Sequence, residues 1–440
     1  MGDEIIMMSW IEKNILPVAV KIGNQRHLVA VRDAFIGMIA LTMAGSFAVL
    51  LRFIGGTDGM EWYPKMMNNI FGDNWDPFFL HIQVGTLVVM TIFIVIGIGY
   101  KLARSYGDDG FEAMFVAFAS FMALVPFGVT IGKETAGGFA DKYFGSLALF
   151  TGIIIALIST EIFVRLTKVS WLTIKLPEAV PPAVSRAFAK LFPGIITIAI
   201  FGLVSQLFTS IGDTNVVDWV GEVLVKPLSS AADSLPSAIL IVFLVHFFWI
   251  FGLHGNNILA GIISPLMTKL GLDNIDLYSQ GLAANSDKYH TLAGPFLDVF
   301  VYFGGSGATM GLLFALLLAS KTRKQMFALG MPPGLFNINE PITFGMPIVL
   351  NPIWVIPFIL TPIVLVTTAY IAVSTHLVHP VIASVPWTTP PIIGCFLATS
   401  HWTGAALAIV NLAISFVIYL PFVIMSNKAD EKALAAAQKN

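Results

Sequence analysis

From Gln325 to Asn427, about a hundred residues, Glu340 is the only Asp, Glu, Lys or Arg. An ionisable side chain at membrane depth costs roughly 2.5–3.5 kcal/mol on insertion scales, so by default it is there for a function and has a partner. Asn337, Asn339 and Pro341 surround it and mark a helix break. His254 sits at a second break, between Gly252 and Gly255, with Asn256 and Asn257 following where a long apolar run ends. A carboxylate and an imidazole beside a hydroxyl can orient it and draw on its proton. The same pair can relay protons across a membrane. The blander alternatives are a carboxylate that caps a hairpin's amides and a histidine satisfied within a core. Zinc is not expected, because His246 and His254 form no HExxH pattern and no cysteine cluster supports them. Cys395, the sole cysteine, lies in the apolar PPIIGCF and reads as a small buried hydrophobe. No metal and no cofactor is implied.

Sugars are held by planar hydrogen-bonding side chains around their hydroxyls and by aromatic faces against their C–H surfaces. Trp249, Trp387 and Trp402 offer such faces, and Asn285, Asn337, Asn339 and His401 are polar candidates. Tryptophan also decorates membrane interfaces. Trp387, within VPWTTPP rather than at the end of a long span, is the best of the three. Asn285, in AANSDKYH, reads equally well as a solvated loop residue.

The elements that must position these groups are membrane helices. Of 440 residues, 56% are apolar and 11% charged, far below the roughly 25% charge of a soluble domain. Apolar runs at 34–51, 78–100, 112–131, 144–164, 192–211, 236–253, 308–320, 353–374 and 404–425 suit helices that cross a bilayer. The first is expected to be retained, since Asp3 and Glu4 precede any basic residue and the run begins only after Arg32 and Asp33. Lys13, Lys21, Arg26 and Arg32 precede the first span, Lys101 and Arg104 follow the second, and Arg165, Lys168, Lys175, Arg186 and Lys190 follow the fourth. Lys321, Arg323 and Lys324 follow the run ending near 320, and Lys428, Lys432 and Lys439 close the chain. The intervening loops hold only Arg52, Lys65, Lys133, Lys142 and Lys226. The positive-inside rule therefore puts both termini in the cytoplasm and makes the number of crossings even. The net charge of −2 excludes a nucleic-acid partner.

The chain divides into a scaffold over 1–212, an amphipathic interfacial helix over 213–235 and a second half over 236–440. In the linker Asp213, Asp218, Glu222, Lys226 and Asp233 interleave with valines, leucine and Trp219. The second half is cut by GLHGNN at 252–257, GPF at 294–296, FGGSG at 303–307, MPPG at 331–334 and NINEPITFGMP at 337–347. Broken backbone is tolerated at membrane depth only inside protein or around a wet cavity, so this half holds the site. Re-entrant tips are expected near 254–257 and 337–341.

FGLHGNNIL at 251–259, GLFNINEPITFGMPIVLNP at 334–352 and VPWTTPP at 385–391 resemble the lactose/cellobiose family of phosphotransferase-system (PTS) IIC components, specifically the diacetylchitobiose/cellobiose type. LPVAVKIGNQRHLVAVRDAF at 16–35 is similar too, so the resemblance covers nearly the whole chain. It implies an all-α polytopic membrane protein with about ten transmembrane helices, two re-entrant hairpins, a homodimer formed through the N-terminal half and a mobile C-terminal substrate domain. It also implies a bacterial inner-membrane sugar permease for a β-linked disaccharide, diacetylchitobiose or cellobiose. A cytoplasmic IIB partner, charged through IIA, HPr and enzyme I, would carry phosphate on its own cysteine and pass it to the C6 hydroxyl of the bound sugar. Carried over by position, Glu340 and His254 are the polar pair near that hydroxyl and Trp387 stacks on a ring, with Trp249, Asn285, Asn256 and Asn339 completing the pocket. Cys395 does not match a phosphorylated cysteine, and the donor must come from a separate protein. The alternative is a proton-coupled sugar transporter that uses His254 and Glu340 as its relay. An intramembrane hydrolase lacks a nucleophile and base, with no GxSxG or metal motif present.

Overall fold

The computed structural model describes residues 13, 16–53, 62–131, 134–177, 179–212, 214–320, 324–346, 348–349 and 351–437. Asp3, Glu4, Lys133, Asp213, Lys321, Arg323, Pro347 and Lys439, used in the sequence argument, lie outside the described residues.

The first half begins with α1 (Leu16–Gly23), α2 (Arg26–Gly37) and α3 (Ile39–Phe53). Gln25 starts α2 by accepting the Leu28 N–H at 2.8 Å. The expected first span is bent, since α2 and α3 meet at 44° across Met38. There follow α4 (Trp62–Phe71) and α5 (Asp76–Gln83), which runs through a π turn at Val84–Val88 into α6 (Met90–Ser105). The apolar run expected over 112–131 is helical only in α7 (Phe111–Met122). Pro126 has no N–H to continue the helix and pushes Val125 toward extended backbone, so the chain leaves for a two-stranded antiparallel hairpin. In it β1 (Val129–Ile131) pairs with β2 (Glu134–Ala136), with Thr130 opposite Thr135. Next come α8 (Leu149–Leu166), α9 (Pro182–Ala189) and α10 (Leu191–Gly212).

The amphipathic linker forms α11 (Val216–Val220), a π turn at Gly221–Val225 and α12 (Lys226–Ala232). Val216, Val217, Val220 and Val225 are buried, while Trp219, Val223, Leu224 and Leu228 remain exposed, as an interfacial helix requires. This helix bends by 75° into α13 (Leu235–Ile250). The second half continues with α14 (Gly255–Ser279), α15 (Phe296–Phe300), α16 (Thr309–Ala319), α17 (Lys324–Gly334) and α18 (Glu340–Gly345). It ends with α19 (Pro352–Ser374), α20 (Pro391–Thr399) and α21 (Trp402–Ala437). Among the described residues six helices are long and apolar enough to span a bilayer, or eight if each bent pair counts as one. The expected breaks near 254–257 and 337–341 are both present but differ in form. The first separates two long helices, whereas the second joins the short α17 and α18.

Two large apolar cores, with a small third cluster of Ala103, Ala113, Val116, Phe163 and Val164, divide the described residues. One gathers residues between Val31 and Val225, the other residues between Ala238 and Val423. The end of α14 crosses over, with Leu272, Ile275 and Tyr278 in the first core. A charged clamp secures this crossing. His290 Nδ1 lies 3.0 Å from Asp233 at the end of the linker, and its Nε2 lies 3.2 Å from Asp273 of α14, which also pairs with Lys269. Asp233 accepts the Leu292 N–H at 2.7 Å as well.

Burial alone would depress the His290 pKa, but hydrogen bonds and charge from Asp233 and Asp273 outweigh it and push it up to about 9. This group is charged more readily in the folded chain than at its ordinary 6.5, so its contribution is complete below pH 6.5 and is lost as pH rises through about 9. The thermal midpoint of purified protein should fall across that window, and His290→Gln should flatten the dependence; equal slopes in the two proteins would contradict the clamp.

Candidate functional site

The site is built around an unwound segment of the second half. Gly304, Gly305 and Gly307 have φ of 75°, 95° and 84°, and Ala308 follows at 52°. These left-handed values suit glycine and leave peptide groups that no helix satisfies. Side chains from several helices satisfy them instead. Gly304 N–H donates to Asn337 Oδ1 at 2.9 Å, and Gly307 N–H donates to His246 Nε2 at 2.8 Å. Asn339 Nδ2 donates to Ser306 O, Tyr419 OH to Gly307 O and Ser415 Oγ to Ala308 O, at 2.7, 2.7 and 2.8 Å. His246 is fully buried and its Nδ1 lies 2.6 Å from Val242 O. Its neutral form with the proton on Nδ1 satisfies both contacts.

The NINEP segment is tied down through the same amides. Asn337, with φ of 60°, uses Nδ2 to hold Trp387 O at 2.7 Å and Thr389 O at 3.1 Å. Asn339 also donates to Thr343 Oγ1 at 3.0 Å. Both asparagines thus spend their amide nitrogens on protein partners. Glu340, the next residue, opens α18 with Pro341 behind it. No described group hydrogen-bonds or ion-pairs with its half-buried carboxylate.

His254 caps α14, where its Nδ1 accepts the Asn257 N–H at 3.3 Å and leaves Nε2 free for another partner. Gly255 is required beside it: a Cβ there would meet Val245 O at 2.0 Å, so α13 and α14 close tightly at the break. Trp249 is buried under His254, with ring centroids 4.7 Å apart. His254 and Glu340 are close enough to feel each other's charge.

These residues face a cavity of about 780 Å³, within the range of small-molecule sites. One wall is apolar and comes from the first half, through Phe35, Ile36, Ile39, Met43, Leu87 and Met90. The opposite wall carries the polar groups and comes from the second half. Glu340, His254, Asn256, Asn339 and Trp387 all line it, and Trp387 is half exposed. Trp249 does not line the cavity; it supports His254 from behind. Asn285 is also not brought to it and lies exposed on a turn after α14, the solvated-loop alternative. Trp402 is exposed elsewhere, and His401 stacks on His379 at 3.7 Å. Cys395 is fully buried with its thiol against Val299 O. Sequence reasoning missed Asp298 and Tyr302, which also line the cavity. The lone-acid criterion applied to Glu340 would have found Asp298, the only Asp, Glu, Lys or Arg from Thr291 to Ser320.

A helical membrane protein with a polar ligand cavity against an apolar wall is the class that fold and site define. Residues 32–362 match the family model described as Phosphotransferase system, EIIC. The chain is 36% identical to the cellobiose-specific EIIC component of Lactococcus lactis subsp. lactis, covering 97% of this chain and 99% of that one. It is 30% identical to a lactose-specific EIICB component of Streptococcus mutans, over 98% of this chain and 76% of that longer protein. The crystal structure of the IIC component from the N,N'-diacetylchitobiose-specific phosphotransferase system superposes with a TM-score of 0.89 at 36% identity, covering 96% of this chain and 99% of that one. The chain belongs to the phosphotransferase-system EIIC family of membrane permeases.

The glycine segment generates a stability test. A Cβ on Gly307 would lie 2.3 Å from the Phe358 ring at a φ of 84°. Gly307→Ala should cost about 2 kcal/mol or more and lower the melting temperature in detergent; an unchanged midpoint would contradict the close packing.

Proposed function

We propose that this chain binds a β-linked disaccharide of the cellobiose or diacetylchitobiose class, carries it across the bacterial inner membrane and presents its C6 hydroxyl to a phosphorylated IIB protein. The observation that carries this reading is the Glu340 carboxylate, without a partner among the described residues, beside His254 on a cavity wall that also offers the Trp387 ring. The names of two relatives, cellobiose-specific and diacetylchitobiose-specific, support the sugar class, and the fused EIICB relative supports a IIB partner.

Glu340 accepts the hydrogen bond of the C6 hydroxyl and aims its oxygen at the incoming phosphorus. As the P–O6 bond forms, the P–S bond to the partner's cysteine breaks and the thiolate leaves with the electron pair. The hydroxyl proton passes to Glu340, with His254 as its hydrogen-bonding neighbour. Charge compensation at the phosphoryl group is left to the donor protein. Trp387 stacks on a sugar ring. Asn256 and Asn339 belong to the pocket wall, Trp249 acts through His254, and Asn285 would join only if its loop moved inward.

The wider assembly belongs to the same proposal. Residues 1–212 form the scaffold and homodimer contact, 213–235 the interfacial linker and 236–440 the mobile substrate domain. The short apolar helices Phe111–Met122 and Thr309–Ala319 would bring the spans to ten, with both termini cytoplasmic and two re-entrant hairpins. IIA, HPr and enzyme I supply phosphate upstream of IIB.

Vesicle uptake tests the reading. Sugar should accumulate as its phosphate only when the soluble phosphoryl-transfer proteins are present; uptake of unmodified sugar driven by a pH gradient would favour the proton-coupled alternative. Glu340→Gln should insert and fold normally yet lose roughly 10²-fold or more in phosphorylation rate, and normal turnover would remove the carboxylate from the mechanism. Trp387→Ala should weaken sugar binding by about 1–3 kcal/mol, as loss of a stacking platform does; unchanged affinity would make it a structural tryptophan.

A further inference from the structure

A second cavity, of about 310 Å³, lies apart from the Glu340 cavity where the linker meets α14, at the lower end of small-molecule sites. Its charged and hydroxyl-bearing lining comes from Asp218, Glu222, Lys226 and Ser230 of the linker, Lys269 of α14 and His290. Both signs of charge face it, and several of these groups have bonding capacity left over. Asp218 Oδ2 accepts from Asn215 Nδ2 at 2.6 Å and from Tyr143 OH at 3.0 Å, while its Oδ1 has no hydrogen bond among the described residues. Lys269 pairs only with Asp273 among the described residues, which uses one of its three donors. Lys226 and Glu222 hold each other at 3.0 Å, but their side chains are 71% and 72% exposed, and exposed pairs of this kind are worth about 0–1 kcal/mol. A ligand can therefore displace that bond at little cost.

The setting specifies the ligand. Arg186 and Lys190 precede α10 and the linker follows its other end, so the charge bias places the linker at the outer face of the membrane. Trp219, Val223, Leu224 and Leu228 stand exposed along the linker beside the cavity, the way an interfacial helix meets acyl chains. A free anion is disfavoured there. Around the cavity the carboxylates of Asp218 and Glu222, with Asp233 and Asp273 behind His290, outnumber the cations of Lys226, Lys269 and His290. A zwitterion fits both signs, with its phosphate on the lysine ammonium groups and its own ammonium on the carboxylates. A phosphoethanolamine head carries both charges, and its primary ammonium has N–H donors to give.

We propose that this cavity is a phospholipid site that takes the phosphoethanolamine head of an outer-leaflet lipid, with the phosphate on Lys226 and Lys269, the ammonium on Glu222 and Asp218, and the acyl chains over the exposed apolar side chains of the linker. Because Lys269 and His290 also belong to the clamp at the α14 crossing, the bound lipid reinforces the junction of the two halves.

Thermal unfolding of the purified, delipidated chain in detergent, with dioleoyl phosphatidylethanolamine, the matching phosphatidylcholine or inorganic phosphate added, tests it. The ethanolamine lipid should raise the wild-type midpoint by roughly 3 °C or more. The choline lipid, whose trimethylated nitrogen donates no hydrogen bond, should raise it less, and phosphate should leave it unchanged. Lys269→Gln, and the double variant Glu222→Gln with Lys226→Gln, should each need about ten-fold more ethanolamine lipid for the same rise. Should Lys269→Gln, which strips Asp273 of a partner, fail to fold, the double variant on the exposed pair decides. No rise in the wild type, equal rises with the two lipids, a rise with phosphate alone, or folded variants that respond like the wild type would each overturn the site.

Discussion

The arrangement depends on satisfying unwound backbone in a place where water cannot. Residues 304–308 abandon helical geometry inside the second core, and each peptide group left over must find a donor or acceptor or cost several kcal/mol. His246, Asn337, Asn339, Ser415 and Tyr419 supply them from three separate elements. That one set of bonds fixes α13, the 337–340 turn and α21 around a common point. The carboxylate of Glu340 is positioned as a by-product, because the two asparagines before it are clamped to Gly304, Ser306 and the backbone of Trp387. The tryptophan face and the acid therefore share a rigid frame.

The two walls of the cavity follow from the division of the cores. Apart from Thr42 the first half contributes apolar side chains, while the hydrogen-bonding groups come mainly from the second. A sugar held on such a surface keeps its polar contacts with one body and only nonspecific apolar contact with the other. This asymmetry is what the proposed movement of a substrate domain against a scaffold would need. The charged clamp of His290 with Asp233 and Asp273 lies at the crossing of α14 and not on the wall of this cavity.

Much of this was legible in the residues. Hydropathy gave the membrane class, because an apolar run long enough to span has few other uses, and the bounds of α8, α10 and α19 fall close to the runs that announced them. Pro126 shortened one run and the bend at Met38 broke another, since runs count apolar residues and ignore where backbone can continue. Isolation in an uncharged stretch identified Glu340, and glycine flanks identified His254. Asn337 and Asn339 were read as sugar ligands, but their amides serve the backbone of a loop thirty residues earlier, a pairing that no local pattern encodes. Trp249 was picked out for its aromatic face and acts through His254. Asn285 was carried over from the family resemblance, and its segment is the solvated turn that was its alternative. Asp298 was overlooked although the isolation argument applies to it equally.

In the proposed mechanism Glu340 receives a hydroxyl of a sugar enclosed in this cavity. A structure of the protein with bound cellobiose or diacetylchitobiose tests it most directly. A hydroxymethyl oxygen should lie within about 3.2 Å of the Glu340 carboxylate, with a ring against Trp387. A sugar bound elsewhere, with Glu340 turned to lipid headgroups or bulk water, would contradict it.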